Sequence, residues 1–178
     1  LAVKNEGRVA ATGVTKRGGQ IFLSASGGRI SSTGTLEARQ ADRSGGDITI
    51  DAGPEGSVEI GGEVDASGEV GTGGSVLILG REIDFLASSL ILADGQADGG
   101  SVFIGGGERG ESPEFHNAET VTVAEGARLS ASSLASGNGG QVVLFAEDRL
   151  DFHGMVTARG GPQGGVGGFV EISGQNEI

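Results

Sequence analysis

A pair of glycines followed by a short alternating apolar run recurs along almost the whole chain, and this constrains the fold more than any other feature. The copies are Gly18-Gly19 before QIFLSA, Gly45-Gly46 before DITIDA, Gly73-Gly74 before SVLILG, Gly99-Gly100 before SVFIGG, Gly139-Gly140 before QVVLFA and Gly167-Gly168 before FVEISG. From the second glycine of one copy to that of the next, the steps are 27, 28, 26, 40 and 28 residues. A period in this range carried by strand-like units marks a solenoid, in which each unit buries its apolar face only by stacking on its neighbours. The 178 residues then set the number of coils rather than the number of cores, and residues 1–178 form a single β-helical segment.

Three strand candidates lie between successive glycine pairs. One unit reads DITIDA (47–52), SVEI (57–60) and EVDA (63–66), and the same triplet returns as QIFLSA, GRISS and TLEAR, as SVLILG, EIDFLA and LILAD, as SVFIGG, TVTVA and ARLSA, and as QVVLFA, RLDFHG and MVTAR. Three short strands per repeat joined by tight turns imply an all-β chain folded as a right-handed parallel β-helix of about six coils, a rod of ~30 Å at ~4.8 Å per level. Alternation assigns the faces: Ile48 and Ile50, Val76 and Ile78, or Val142 and Leu144 point inward from the first wall. On the third wall a large residue is followed by an inward alanine at every level, as in Leu36 and Ala38 or Val64 and Ala66, which implies a narrow corner.

Composition agrees with this fold and excludes several functions. Glycine contributes 37 residues and proline 3, so the chain is neither collagen nor a proline-rich linker. The glycines fall between apolar runs, where tight turns are expected to require the positive φ that a Cβ resists. The net charge of -12 argues against nucleic acid or an anionic membrane as partner. There is no cysteine for a disulfide or thiolate metal site, and no apolar run approaches the ~20 residues needed to insert in a membrane. The chain begins at Leu1 without a basic and apolar leader and stops at EISGQNEI just after a coil has begun, so the natural protein is expected to continue in both directions.

The outward positions bear on function. On the first wall they are Phe22, Thr49, Leu77, Phe103, Val143 and Glu171, a mostly apolar ridge that is either covered locally or offered to a partner. The long interval owes its excess to an inserted loop at residues 105–119, GGGERGESPEFHNAE, which either folds back over the ridge with Phe115 as its anchor or serves in recognition. The candidate partner-binding residues are therefore Phe22, Leu77, Phe103, Arg109, Phe115 and His116. The second wall presents Glu59, Asp84, Thr122 and Asp151, an acidic ladder suited to solvation.

Parallel β-helices also build polysaccharide lyases and hydrolases, whose sites cluster carboxylates, often with calcium, beside a basic residue. Here the outward acids of the third wall stop after Glu37 and Asp65, giving way to Leu92, Ser130 and Thr157, and there is no Trp or Tyr on which a sugar would stack. Calcium-binding GGxGxDxUx repeats are absent, Gly164 to Gly168 precede a strand without a following Lys-Ser/Thr, and His116 and His153 lack metal-ligand spacing. No catalytic residue, cofactor or metal is assigned, and the chain is read as a non-enzyme.

Several stretches resemble the filamentous haemagglutinin-like large exoproteins of Gram-negative bacteria, secreted by the two-partner (type Vb) route. They are VKNEGRVAATG (3–13), SVFIGGG (101–107), NAETVTVAEGARLSA (117–131), GNGGQVVLF (137–145) and, most specifically, FHGMVTARGGPQGGVGGFVEISG (152–174). The resemblance implies a secreted, cell-surface β-helical stalk, a virulence factor serving adhesion, biofilm cohesion or host attachment, haem acquisition or contact toxicity, exported unfolded through an outer-membrane barrel transporter. It implies a host protein or matrix polysaccharide as further partner. The NPNG- and NPNL-type motifs of the family's secretion domain are missing, since no Asn-Pro dipeptide occurs, so the segment is expected downstream of that domain and the transporter is met through a domain not in this chain.

Overall fold

The structure is a computed structural model that describes residues 2–12, 19–39 and 44–175. Alternating β-branched and aliphatic residues cut by glycine leave only short extended segments, because each run offers one buried and one wet face for three to six residues. The chain opens with β1 (Ala2–Asn5) and β2 (Arg8–Thr12). Then come β3 (Gln20–Ser24), β4 (Arg29–Ser32) and β5 (Thr35–Arg39), followed by β6 (Asp47–Asp51), β7 (Ser57–Ile60) and β8 (Glu63–Asp65). The next coils are β9 (Ser75–Leu79), β10 (Glu82–Phe85) and β11 (Leu90–Leu92), then β12 (Ser101–Ile104), β13 (Thr120–Val123) and β14 (Arg128–Ser130). The last are β15 (Gln141–Ala146), β16 (Arg149–Phe152), β17 (Met155–Thr157) and β18 (Phe169–Gly174).

These strands form three six-stranded sheets in which every third strand in sequence is the neighbour in space: β3-β6-β9-β12-β15-β18 is the first wall, β1-β4-β7-β10-β13-β16 the second and β2-β5-β8-β11-β14-β17 the third. Every pairing is parallel and in step with the repeat, for example Ile48↔Val76 and Val102↔Val142 on the first wall. The expected β-helix of about six coils is the observed architecture, with strand ends within a residue or two of those read from the sequence. The opening β1, paired with β4 through Val3↔Ile30, is a strand that the sequence reading did not propose.

The interior is a column of aliphatics. Ile48, Ile50, Val58, Ile60, Val64 and Ala66 fill one level and Val76, Ile78, Ile83, Phe85, Ile91 and Ala93 the next, all buried. Each such large side chain contributes roughly 1.5–3 kcal/mol on burial, so a coil with five of them holds its register by packing alone.

The glycine pairs make the corner between the third and first walls. The second glycine's N–H donates to the alanine carbonyl that ends the third wall, Gly46 to Ala38 at 3.0 Å and Gly74 to Ala66, Gly100 to Ala93 and Gly140 to Ala131 at 2.7 Å each. Its carbonyl accepts from the first residue of the next coil's first wall, as Gly46 does from Ser75 (3.0 Å) and Gly74 from Ser101 (2.9 Å). The expected reason for these glycines, a positive φ, does not hold: none of the described glycines of the pairs has one, and Gly18 of the first pair lies outside the described residues. Close approach is the reason instead. A Cβ on Gly74 would lie 2.0 Å from the Gly46 oxygen, and one on Gly100 would lie 2.0 Å from the Gly74 oxygen. The narrow corner inferred from the inward alanines has the same origin, since a Cβ on Gly46 would stand 3.1 Å from that of Ala38.

Candidate functional site

Residues 105–119 leave the first wall at the end of β12 and rejoin the second wall at β13. The exit needs backbone that most side chains resist: Gly105 has φ 70°, Gly106 147° and Gly110 69°, and Arg109, at 55°, is the one described non-glycine residue with positive φ. Glu108–Gly110 form a single 3-10 turn that lies on Phe145 of β15. A Cβ on Gly110 would come within 2.4 Å of the Phe145 ring, so a glycine is required for that contact. Beneath this cover Phe145 is 2% exposed and Val143 0%.

Polar contacts pin the loop along the wall. The Arg109 N–H donates to Oε1 of Glu171 on β18 at 2.7 Å, and the Gln141 amide donates to the Glu108 carboxylate. Asn117 Nδ2 donates to the Gly110 carbonyl at 3.1 Å and to Glu147 Oε1 at 3.2 Å. At the other end His116 Nε2 meets Asp51 Oδ1 of β6 at 3.0 Å, while its Nδ1 is buried with no hydrogen-bond partner among the described residues. Between these ends the ring of Phe115 packs on Phe103, centroids 5.8 Å apart. From β6 to β18 is four levels, so the loop acts as a strap over ~19 Å of the rod.

The candidate residues thus divide. Phe103 and Phe115 meet, Leu77 is the register neighbour of Phe103 and half-buried, and Arg109 and His116 hold opposite ends of the strap. Phe22 stands apart on β3, 66% exposed. Val143, which faces outward by alternation, belongs to the covered part of the ridge. Phe103, Phe115, Gly107, Ser112 and the acids Glu108 and Glu111 enclose an open hollow of about 330 Å³. An apolar floor with a carboxylate rim suits a basic or hydrogen-bond-donating side chain of a partner. Phe145, Asp51 and Asn117 were not among the residues singled out from sequence. The usable signal for Phe145 was the run QVVLFA, whose outward positions 143 and 145 are both apolar and so call for a cover.

No protein-family model matches the chain, and no curated protein matches it by sequence. Among solved structures, the crystal structure of the HMW1 secretion domain from Haemophilus influenzae is similar over 99% of this chain, with a TM-score of 0.84 and 28% sequence identity. The likeness is to a secretion domain. It covers 45% of that structure, so the chain spans less than half its length.

Relative to the strapped wall of this secretion-domain-like rod, the other two walls carry ion pairs. On the second wall Glu59 pairs with Arg29 at 2.7 Å and Asp151 pairs with Arg149, while Asp84 is exposed. On the third wall Arg39 gathers Glu37 (3.0 Å), Asp65 (3.2 Å) and Glu69, and Arg8 pairs with the same Glu37. Burial by itself would lower the pKa of Arg39, but Asp65, Glu37 and Glu69 together raise it above the ordinary guanidinium range. Among the described residues there is no group of three or more His, Asp or Glu able to hold a metal ion, and no helix long and apolar enough to cross a membrane.

Proposed function

We propose that this chain is the β-helical rod of a secretion domain, in a secreted bacterial exoprotein of the filamentous haemagglutinin-like type. It is exported through an outer-membrane barrel transporter and acts at the cell surface as a non-catalytic structural and adhesive stalk. The observation that carries this reading is the likeness to a secretion domain over 99% of the chain at 28% identity. Because the likeness is to that domain itself, the proposal places the segment within a secretion domain rather than downstream of one, and brings the transporter to this chain directly.

Two physical features support it. A chain without cysteine has no disulfide to block passage through a pore. Each coil folds on its predecessor across only one repeat, which suits folding as the chain emerges. The non-catalytic reading is supported by the engagement of the outward carboxylates, since Glu37, Asp65 and Glu59 are all held by arginines. The test is a hybrid in which this chain replaces the matching part of the HMW1 secretion domain. Export of the hybrid to the medium is expected, and a hybrid that folds in vitro yet stays in the periplasm overturns the proposal.

A second reading, a docking module for a host protein or matrix polysaccharide, is favoured by the exposed Phe22 and by the hollow at Phe103 and Phe115. It requires that Phe22→Asp and Phe115→Ala reduce binding in a host-protein and glycan screen while the fold is kept.

A further inference from the structure

The strap shapes a concave site with its own turn. Glu108–Gly110 form a 3-10 turn closed by the Glu111 N–H, which donates to the Glu108 carbonyl at 3.0 Å. That i to i+3 spacing sets the side chains of Glu108 and Glu111 on one side of the turn. There they stand beside the half-buried rings of Phe103 and Phe115, and with Gly107 and Ser112 these residues enclose the hollow of about 330 Å³. The volume is at the lower end of the about 300–1,000 Å³ of ligand sites, enough for one long side chain and too small for a folded element.

Its charge is unbalanced. The Gln141 amide donates to Glu108 Oε1 and so fixes that carboxylate, but it brings no charge and leaves Oε2 free. The Glu111 carboxylate is exposed and has no ion-pair or hydrogen-bond partner among the described residues. Arg109, the only lysine or arginine in residues 105–119, does not line the hollow, and His116 is held by Asp51 at the far end of the strap. Nothing else in the chain is poised to supply the charge, since the whole carries -12. Two aromatic rings beside two uncompensated carboxylates favour a flat cation over any other single group.

We infer that this hollow takes an arginine side chain from a basic, extended segment of a partner protein. The inference rests on the second reading above, a docking module, and names the chemistry of what docks. The guanidinium stacks on the aromatic pair while its fork donates to Glu108 and Glu111, and the aliphatic stem covers ring surface that is now wet. Other occupants fit less well. An anionic group is repelled by both carboxylates, and an apolar side chain desolvates them without a counter-charge. Lysine matches the charge, but its ammonium neither stacks flat nor forks. A second copy of so acidic a chain meets repulsion over its whole surface.

The test is a 1H–15N correlation titration of the chain with the end-blocked peptide Gly-Gly-Arg-Gly-Gly and with its lysine and citrulline counterparts, citrulline keeping the shape of arginine without its charge. Saturable shifts confined to Phe103, residues 107–112 and Phe115 are expected with the arginine peptide, with binding about threefold weaker for lysine and about tenfold weaker for citrulline. Glu111→Gln, at an exposed position where folding is not at stake, is expected to weaken the arginine peptide about threefold. Phe115→Ala is expected to weaken it about fivefold, but it also loosens the strap, so Glu111→Gln carries the decision. Absence of saturable shifts at these residues, equal affinity for arginine and either counterpart, or an affinity unchanged in Glu111→Gln overturns the inference. Shifts at the same residues that grow with chain concentration before any peptide is added would give the hollow to a second copy, and overturn it too. The docking reading fails separately: a partner from the host-protein screen that needs Phe22 but is indifferent to Glu111→Gln keeps that reading and overturns this one, whereas arginine binding beside an empty screen removes the host partner and supports the chemistry of the hollow.

Discussion

The ring of Phe115 lies against that of Phe103 with centroids 5.8 Å apart and planes inclined at 53°. One belongs to the strap and the other to the outward face of β12, so the pair joins an element with no register of its own to one whose register is set by the whole sheet. The strap is thereby a layer added to a finished rod. Apart from Ala118, which is buried in the core at its end, its contacts lie outside the column of aliphatics that holds the coils together, so residues 108–117 can be loosened without unstacking them.

Phe115→Ala is therefore expected to cost about 1–2 kcal/mol, a loss of packing at a half-buried ring, and to leave all three sheets in place. Hydrogen exchange would show it. The amides of residues 108–117 should exchange faster while those of β12 and β15 keep their protection. Unchanged exchange across the strap would mean that its polar pins, not the rings, hold it down.

The corner glycines lead to a sharper contrast. At Gly74 an added methyl meets the Gly46 carbonyl oxygen at 2.0 Å, and both partners are backbone fixed by neighbouring levels. Gly74→Ala should destabilise by at least about 3 kcal/mol, because two coils must part to admit it. At Gly7 a Cβ would meet nothing within 4 Å, so Gly7→Ala should change stability by less than about 0.5 kcal/mol. Chemical denaturation of the two variants decides the matter. Equal effects would contradict the steric account of the repeat.

Much of this was legible in the sequence, for a physical reason. A solenoid repeats its constraints, so the same alternation is seen five or six times, and the faces of Ile48, Val76, Val102 and Val142 follow from position alone. The cause of the glycine pairs was not legible. Turn chemistry and close approach both select glycine, and only the stacked backbone distances separate them. The strap was legible as an excess of residues and Phe115 as its anchor, but its reach was not: the contacts of His116 with Asp51 and of Arg109 with Glu171 join residues 65 and 62 positions apart, outside any repeat.

Phe145 tests whether the strap is a true cover. By alternation it faces outward, and on a bare wall its truncation would expose little more than it removes. Under Gly106 and Gly110 it fills enclosed space, so Phe145→Ala should cost about 3–5 kcal/mol, in the range of core aromatic truncations. A double variant with the strap shortened should lose much of this cost, because the cavity would then open to water. Thermal melts of the single and double variants form the necessary cycle.

Arg39 makes the last prediction, which concerns salt rather than pH. Its pKa is raised in the folded chain, so the stabilisation from its charge is fully present below the unfolded value and is lost only as pH rises through the still higher folded value, in strong alkali. Between mild acid and mild base Arg39 itself therefore gives no pH dependence. Replacing it does matter, because Asp65 is only 7% exposed and would be left beside Glu37 and Glu69 without a cation. Arg39→Gln should cost about 1–2 kcal/mol at low ionic strength, a network value above that of one surface pair. Added salt at about 1 M shortens the screening length to ~3 Å, so the repulsion among the three carboxylates should weaken and the gap to the parent chain should narrow by about half. Denaturation midpoints measured across a salt series give the answer, and a gap that does not change with salt would assign the role of Arg39 to the packing of its aliphatic stem.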